Sequence, residues 1–86
     1  MKWVEVESSA VCALGYDVKR WCLGIEFQGE RHAYVYYEVP RSEYEAFLAA
    51  ESKGRYLTRV FLPKGYRYAG PYRSRRDADK ACIRGA

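Results

Sequence analysis

The sequence predicts an α+β domain: a small antiparallel sheet of three to five strands, packed by one main helix, with a short helix near the C-terminus. Three observations carry that reading. Segments 10–16, 21–27 and 32–39 alternate side chains at the two-residue period of a strand. Short polar stretches, Asp17-Val18-Lys19-Arg20 and Gln28-Gly29-Glu30-Arg31, separate them as turns. After Pro40 the apolar spacing lengthens to that of a helix.

Val4–Glu7 reads as a short edge strand, and Ser8 and Ser9 as hydroxyls that satisfy backbone groups at the next strand's entry. Within 21–27, Trp21, Leu23, Ile25 and Phe27 share one face, and Cys22, Gly24 and Glu26 the other. Asp17 is a turn residue. In 32–39, Ala33, Val35, Tyr37 and Val39 share a face opposite His32, Tyr34, Tyr36 and Glu38. Gly24 is expected on the Tyr34/Tyr36 side, where it leaves room for a flat ring.

Ser42 with Glu45 forms a capping-box pattern, Tyr44, Phe47 and Leu48 form a helical stripe, and Gly54 reads as the stop. Residues 55–62 return to strand-like alternation, cut by Pro63-Lys64-Gly65, and 66–72 read as extended. Ser74 with Asp77 repeats the capping signal and opens a helix that turns Ala78, Ala81 and Cys82 inward. The whole is a single domain, with residues 1–62 as its core and 63–86 as a basic C-terminal extension docked on it.

No apolar run approaches the roughly 18–20 residues needed to cross a bilayer, and the start lacks the apolar stretch of a signal peptide. The expectation is a cytoplasmic protein without membrane contact. Cys12, Cys22 and Cys82 form no CxxC pair, and His32 is the lone histidine, so no zinc spacing arises. Three buried free thiols and no cofactor are expected. No glycine-rich phosphate loop or paired carboxylates appear, and Ser8 or Ser9 has no obvious base, so no enzyme is expected.

Residues 1–50 hold five Lys/Arg against eight Asp/Glu, a net of −3, whereas 51–86 hold ten against three, a net of +7. That polarity suggests a basic surface, which attracts phosphates. Tyr34 and Tyr36 are candidate stacking rings for bases. Lys53, Arg55 and Arg59 flank Tyr56, while Lys64, Arg67, Arg73, Arg75 and Arg76 interleave with Tyr66, Tyr68 and Tyr72. Arginine beside tyrosine can hold a phosphate and a base within one nucleotide step. Against this stands a plainer reading: the C-terminal extension covers the rings, and the cations are a solvated face.

The order of Ser8-Ser9, Gly15-Tyr16-Asp17, Phe27, Tyr34-x-Tyr36-x-x-Val39-Pro40, Tyr44, Leu48 and Ser52-x-Gly54-x-Tyr56 resembles the KTSC domain over residues 4–62. That family is named from a segment at the C-terminus of some lysyl-tRNA synthetases, and it also occurs as small stand-alone bacterial and phage proteins. The resemblance implies a small domain for which RNA binding has been suggested. Where the family usually has Phe-Asn, this chain has Leu57-Thr58. The leading expectation is a non-catalytic binding module for RNA or other single-stranded nucleic acid. A protein-interaction module or phage-type inhibitor, and a small-nucleotide binder, are the alternatives. A homo-oligomer is compatible with each.

Overall fold

The computed structural model describes residues 1–85, and the turns anticipated between the strands lay them side by side in chain order. The strands are β1 (Lys2–Glu5), β2 (Val11–Asp17), β3 (Cys22–Phe27), β4 (Ala33–Tyr36) and β5 (Tyr68–Tyr72), all antiparallel. Ser8 Oγ accepts from the Ala10 and Val11 amides at 3.1 and 3.2 Å, the entry role expected of it. The Asp17 carboxylate accepts from the Lys19 and Arg20 amides, both at 3.0 Å, and closes the β2–β3 turn.

Helices cover both faces of the sheet. On one side lie α1 (Arg41–Ala49) and a second helical segment, which starts as α2 (Lys53–Tyr56) and tightens through a π turn (Leu57–Phe61) into a 3₁₀ turn (Leu62–Lys64). Phe47, Leu57 and Phe61 from this layer meet Val11, Leu14, Leu23, Ile25 and Tyr36 of the sheet. Phe47 and Phe61 are fully buried, and each contributes roughly 1.5–3 kcal/mol by leaving water. On the other side α3 (Arg75–Gly85) lays Ala78, Ala81 and Cys82 on Cys22, Ala33, Val35 and Tyr37, as the sequence pattern anticipated for that helix.

Several expectations are corrected. Residues 55–62 are helical, because Leu57 and Phe61, four apart, bury together on a helix that already covers the sheet. Gly54 is no stop: α1 ends at Ala49, and Ser52 Oγ caps the next helix by accepting from the Arg55 amide at 3.2 Å. The Ser42–Glu45 capping box does not form. Pro40 is the N-cap without a side-chain bond, and Glu45 pairs with Arg41 at 3.2 Å. Gly24 pairs with Val35, on the face opposite Tyr34 and Tyr36. Val39 leaves the Val35/Tyr37 face and joins the other core, since β4 stops at Tyr36 and Glu38, at φ 56°, breaks the alternation. The three cysteines are not all free. Cys22 and Cys82 form a disulfide joining β3 to α3, with Cα atoms 6.0 Å apart, and Cys12 alone is a buried free thiol.

Candidate binding cleft

Strand alternation points Tyr34 and Tyr36 away from α3 and toward the two-helix side, beyond the end of the helical layer. There an open cleft of about 640 Å³ separates the sheet from the end of the second helical segment. Phe27, Tyr34 and Tyr36 form its sheet wall, and Phe61, Leu62 and Tyr66 its helix wall. Tyr68 closes the β5 side, while Gln28, Glu30 and His32 stand on the rim.

The aromatic rings brace one another. Tyr68 has its centroid 5.5 Å from Tyr36 and 5.9 Å from Tyr34, Phe27 meets Tyr34 edge-on at 5.4 Å, and Phe61 meets Tyr36 edge-on at 4.9 Å. Gly70 lets β5 approach this closely, because a Cβ there would sit 2.9 Å from the Tyr34 ring. Exposure is graded: Tyr36 is 6% exposed, Tyr34 is half-buried, and Tyr68 is 59% exposed. The expected stacking surface is therefore a recess with one open ring, in place of a flat face with two.

Tyrosine hydroxyls divide into two groups. Those of Tyr16, Tyr37, Tyr56 and Tyr66 donate to Val39 O, Ala81 O and, for the last two, the Glu43 carboxylate. Those of Tyr34, Tyr36, Tyr44, Tyr68 and Tyr72 bond to none of the described residues, and of these Tyr34, Tyr36 and Tyr68 line the cleft. No polar side-chain atom among those residues is fully enclosed without a partner, so the Tyr36 hydroxyl reaches the open cleft although its ring is buried. Burial, then the neighbouring Tyr34 and Tyr68 hydroxyls, push the Tyr36 pKa up to about 12.

Behind the helix wall lies a polar hub that the sequence did not disclose. The buried Glu43 carboxylate accepts from Lys64 Nζ at 2.6 Å, from the Tyr66 hydroxyl at 2.9 Å and from the Tyr56 hydroxyl. Burial alone would raise its pKa, but the three donors and the Lys64 charge outweigh it and hold the carboxyl below its ordinary value. Burial first, and the Glu43 hydrogen bonds second, push both tyrosines to about 12.

The structure separates the other predicted site residues. Tyr56 is not a platform for stacking, since its hydroxyl turns in to Glu43 and its ring packs 4.9 Å from Phe47. Lys53 donates to Ala50 O at 2.6 Å, and Arg55 and Arg59 are exposed on the outer side of their helix. Arg67 lies 4.4 Å over the Tyr37 ring on the α3 face. Arg75 is committed to Glu26 at 2.8 Å and Glu5 at 3.0 Å, bonds that raise its pKa and relieve the repulsion expected at a helix start. Arg73 and Arg76 are exposed. None of these seven cations lines the cleft. Phe61 and Leu62 were missed because their segment reads as a strand. Tyr68 carries a signal only as one of the tyrosines interleaved with the basic residues, not as a partner of Tyr34 and Tyr36, and Glu43 carries no signal that separates it from a solvated helix carboxylate.

Among the described residues no cluster of His, Cys, Asp and Glu could hold a metal, and no helix is long and apolar enough to cross a membrane. The sequence pattern of the KTSC domain matches residues 7–68, from the turn before β2 to the first residue of β5. The chain belongs to the KTSC domain family. An uncharacterized protein of Stutzerimonas stutzeri is 41% identical over 68 residues, which cover 79% of this chain and 94% of that one. A protein of Tsukamurella paurometabola is 44% identical over 59 residues, 69% of this chain and 87% of its own. The crystal structure of a KTSC domain protein from Yersinia pestis superposes with a TM-score of 0.72 at 29% identity, covering 79% of this chain and 93% of that one. This KTSC chain carries α3 beyond the matched span.

Proposed function

We propose that this KTSC protein is a non-catalytic binding module of the cytoplasm whose cleft takes an unpaired base of a single-stranded nucleic acid, RNA foremost. The observation that carries the reading is the trio of Tyr34, Tyr36 and Tyr68, with adjacent rings and hydroxyls left without protein partners. A flat ring stacks on Tyr68, and its polar edge meets hydroxyls that both donate and accept. Stacking of this kind contributes about 1–3 kcal/mol per base and tolerates any base.

With no Lys or Arg in the lining, the phosphates stay outside and meet only exposed side chains such as Arg55, Arg59, Arg73 and Arg76. One or two such contacts give a log–log salt slope of about −1, from roughly −0.7 per contact on a single strand. The test is a fluorescence-anisotropy titration of labelled single-stranded RNA, single-stranded DNA and duplex across salt. Single strands are expected to bind better than duplex with a shallow slope, and Tyr68→Ala to weaken binding at unchanged slope. Absence of binding by all three at low salt rejects the reading.

A second reading has one observation of its own. The rim carries the Glu30 carboxylate, with His32 Nδ1 3.6 Å from it, and the lining no Lys or Arg, which suits a protein segment better than a polyanion. An aromatic groove with free hydroxyls is the surface that proline-rich segments dock on. A proline-rich peptide carrying one arginine, titrated under the same conditions, separates the two.

A further inference from the structure

We propose that the Cys22–Cys82 pair is a reversible redox latch that fixes α3 to the sheet. The helix has little else to hold its C-terminal half. Its buried stripe is Ala78, Ala81 and Cys82, side chains too small to remove much apolar area from water. Arg75 anchors its first turn to Glu26 and Glu5, and Trp3 Nε1 donates to Asp79 at 3.0 Å. Beyond that point, among the described residues, the oxygen and nitrogen hydrogen bonds are the Tyr37 hydroxyl on Ala81 O at 3.1 Å and Arg67 on Gly85 O at 3.4 Å. Gly85 packs on the Tyr37 ring, and the cysteine sulfurs make only long contacts of 3.8 Å with Cys82 O and Asp17. The disulfide falls in this sparsely tied half and spans 60 residues of sequence, a separation at which a cross-link strongly restricts the unfolded chain.

Both sulfur-bearing residues are enclosed, Cys22 at 0% and Cys82 at 1% exposure. A small dithiol or glutathione attacks only after the end of α3 lifts. The attacking thiolate forms a mixed disulfide with one cysteine and expels the other as a thiolate, which takes up a proton. A second thiol, the dithiol's own or that of a second glutathione molecule, then releases the first cysteine, so the protein gains two electrons and two protons and the reductant leaves as a disulfide. Oxidised glutathione reverses the sequence through the same kind of mixed disulfide. The helix rests on β4, whose opposite face carries Tyr34 and Tyr36, so the latch lies one sheet thickness from the cleft.

The experiment equilibrates the full chain in oxidised or in reduced glutathione and reads two quantities. Alkylation after unfolding, counted by intact mass, is expected to label Cys12 alone in the first buffer and all three cysteines in the second. Amide exchange across residues 75–85 is expected to accelerate at least about tenfold on reduction while β2 and β3 keep their protection. Cys82→Ala is expected to exchange like the reduced chain in both buffers. If that variant does not fold, the wild-type comparison between buffers still decides. Three labelled cysteines in oxidised glutathione, equal exchange of 75–85 in the two states, or an equal acceleration throughout the chain each overturns the latch.

Discussion

Tyr66 and Tyr68 stand two residues apart and end in opposite circumstances. Tyr66 gives its hydroxyl to the buried Glu43, whereas Tyr68 keeps its own free and more than half its surface in water. The two belong to different assemblies: a satisfied hub that ties α1 to the chain leading into β5, and an unsatisfied trio around the cleft. Residue type does not distinguish them. What does is whether an acceptor waits where the hydroxyl arrives, because a buried polar group without a partner is costly and an open one is not.

The largest test of that contrast removes the hub's centre. Glu43→Ala leaves the Tyr56 and Tyr66 hydroxyls and the Lys64 ammonium without their shared acceptor. The half-exposed Lys64 regains water, and the loss in chemical denaturation is expected to be about 1–3 kcal/mol for each of the two hydroxyls. A loss below about 1 kcal/mol would mean that water replaces the carboxylate there, and the hub holds nothing.

Next in size is the deletion of single hydroxyls. Tyr66→Phe breaks a bond to a charged acceptor and is expected to cost about 1.5–3 kcal/mol. Tyr68→Phe removes a hydroxyl that bonds to none of the described residues, so its stability should stay within about 0.5 kcal/mol of the parent while affinity for single strands falls. Similar losses in both variants, read from denaturation midpoints, would dissolve the distinction between hub and cleft.

A pH titration sharpens it. Folded Tyr56 and Tyr66 keep their protons to about 12, against an ordinary value of 10.0. Their contribution to stability is whole below pH 10 and is lost as pH rises toward 12. Glu43, held low in the fold, contributes above the ordinary carboxylate range, and that contribution fades as acid protonates it. Absorbance of tyrosinate followed from pH 9 to 13 should show a late-ionising group. In Glu43→Gln that group shrinks, since Tyr56 and Tyr66 move earlier while Tyr36, raised by burial and its neighbours, stays late.

The sheet was legible in the sequence because two-residue alternation and Asp17-type turns are local signals, and β2, β3 and α3 fell close to where those signals lie. The segment 55–62 misled because Tyr56, Val60 and Leu62 also satisfy a strand period, and nothing local says that no strand edge awaits it. Tyr34 and Tyr36 were found as a pair because they sit two apart on one strand. Tyr68 was not joined to them, since its pairing with Tyr36 spans a 32-residue excursion through the helices that no local pattern reveals. The cations failed as a group for the opposite reason. Proximity in sequence suggested a patch, but the fold sends Arg67 and Arg75 to one side of the sheet and Arg55 and Arg59 to the other.

Gly15 and Gly24 face each other across β2 and β3, and Trp3 on β1 is the partner of Gly15. A Cβ on Gly24 would stand 2.5 Å from the indole, and one on Gly15 2.7 Å from it, so the ring lies in a trench that two missing methyl groups create. Three positions thereby carry one heritable trait. A mutation at either glycine ejects the indole, and with it the hydrogen bond to Asp79 and the ring beneath Arg75. A smaller residue at position 3 removes the ring from the trench and leaves the flexible Met1 side chain, whose Sδ stands 2.9 Å from a Cβ on Gly15 and 2.7 Å from one on Gly24, as the remaining obstacle. Descendants of this chain should lose the tryptophan before, or together with, the glycines, and seldom after.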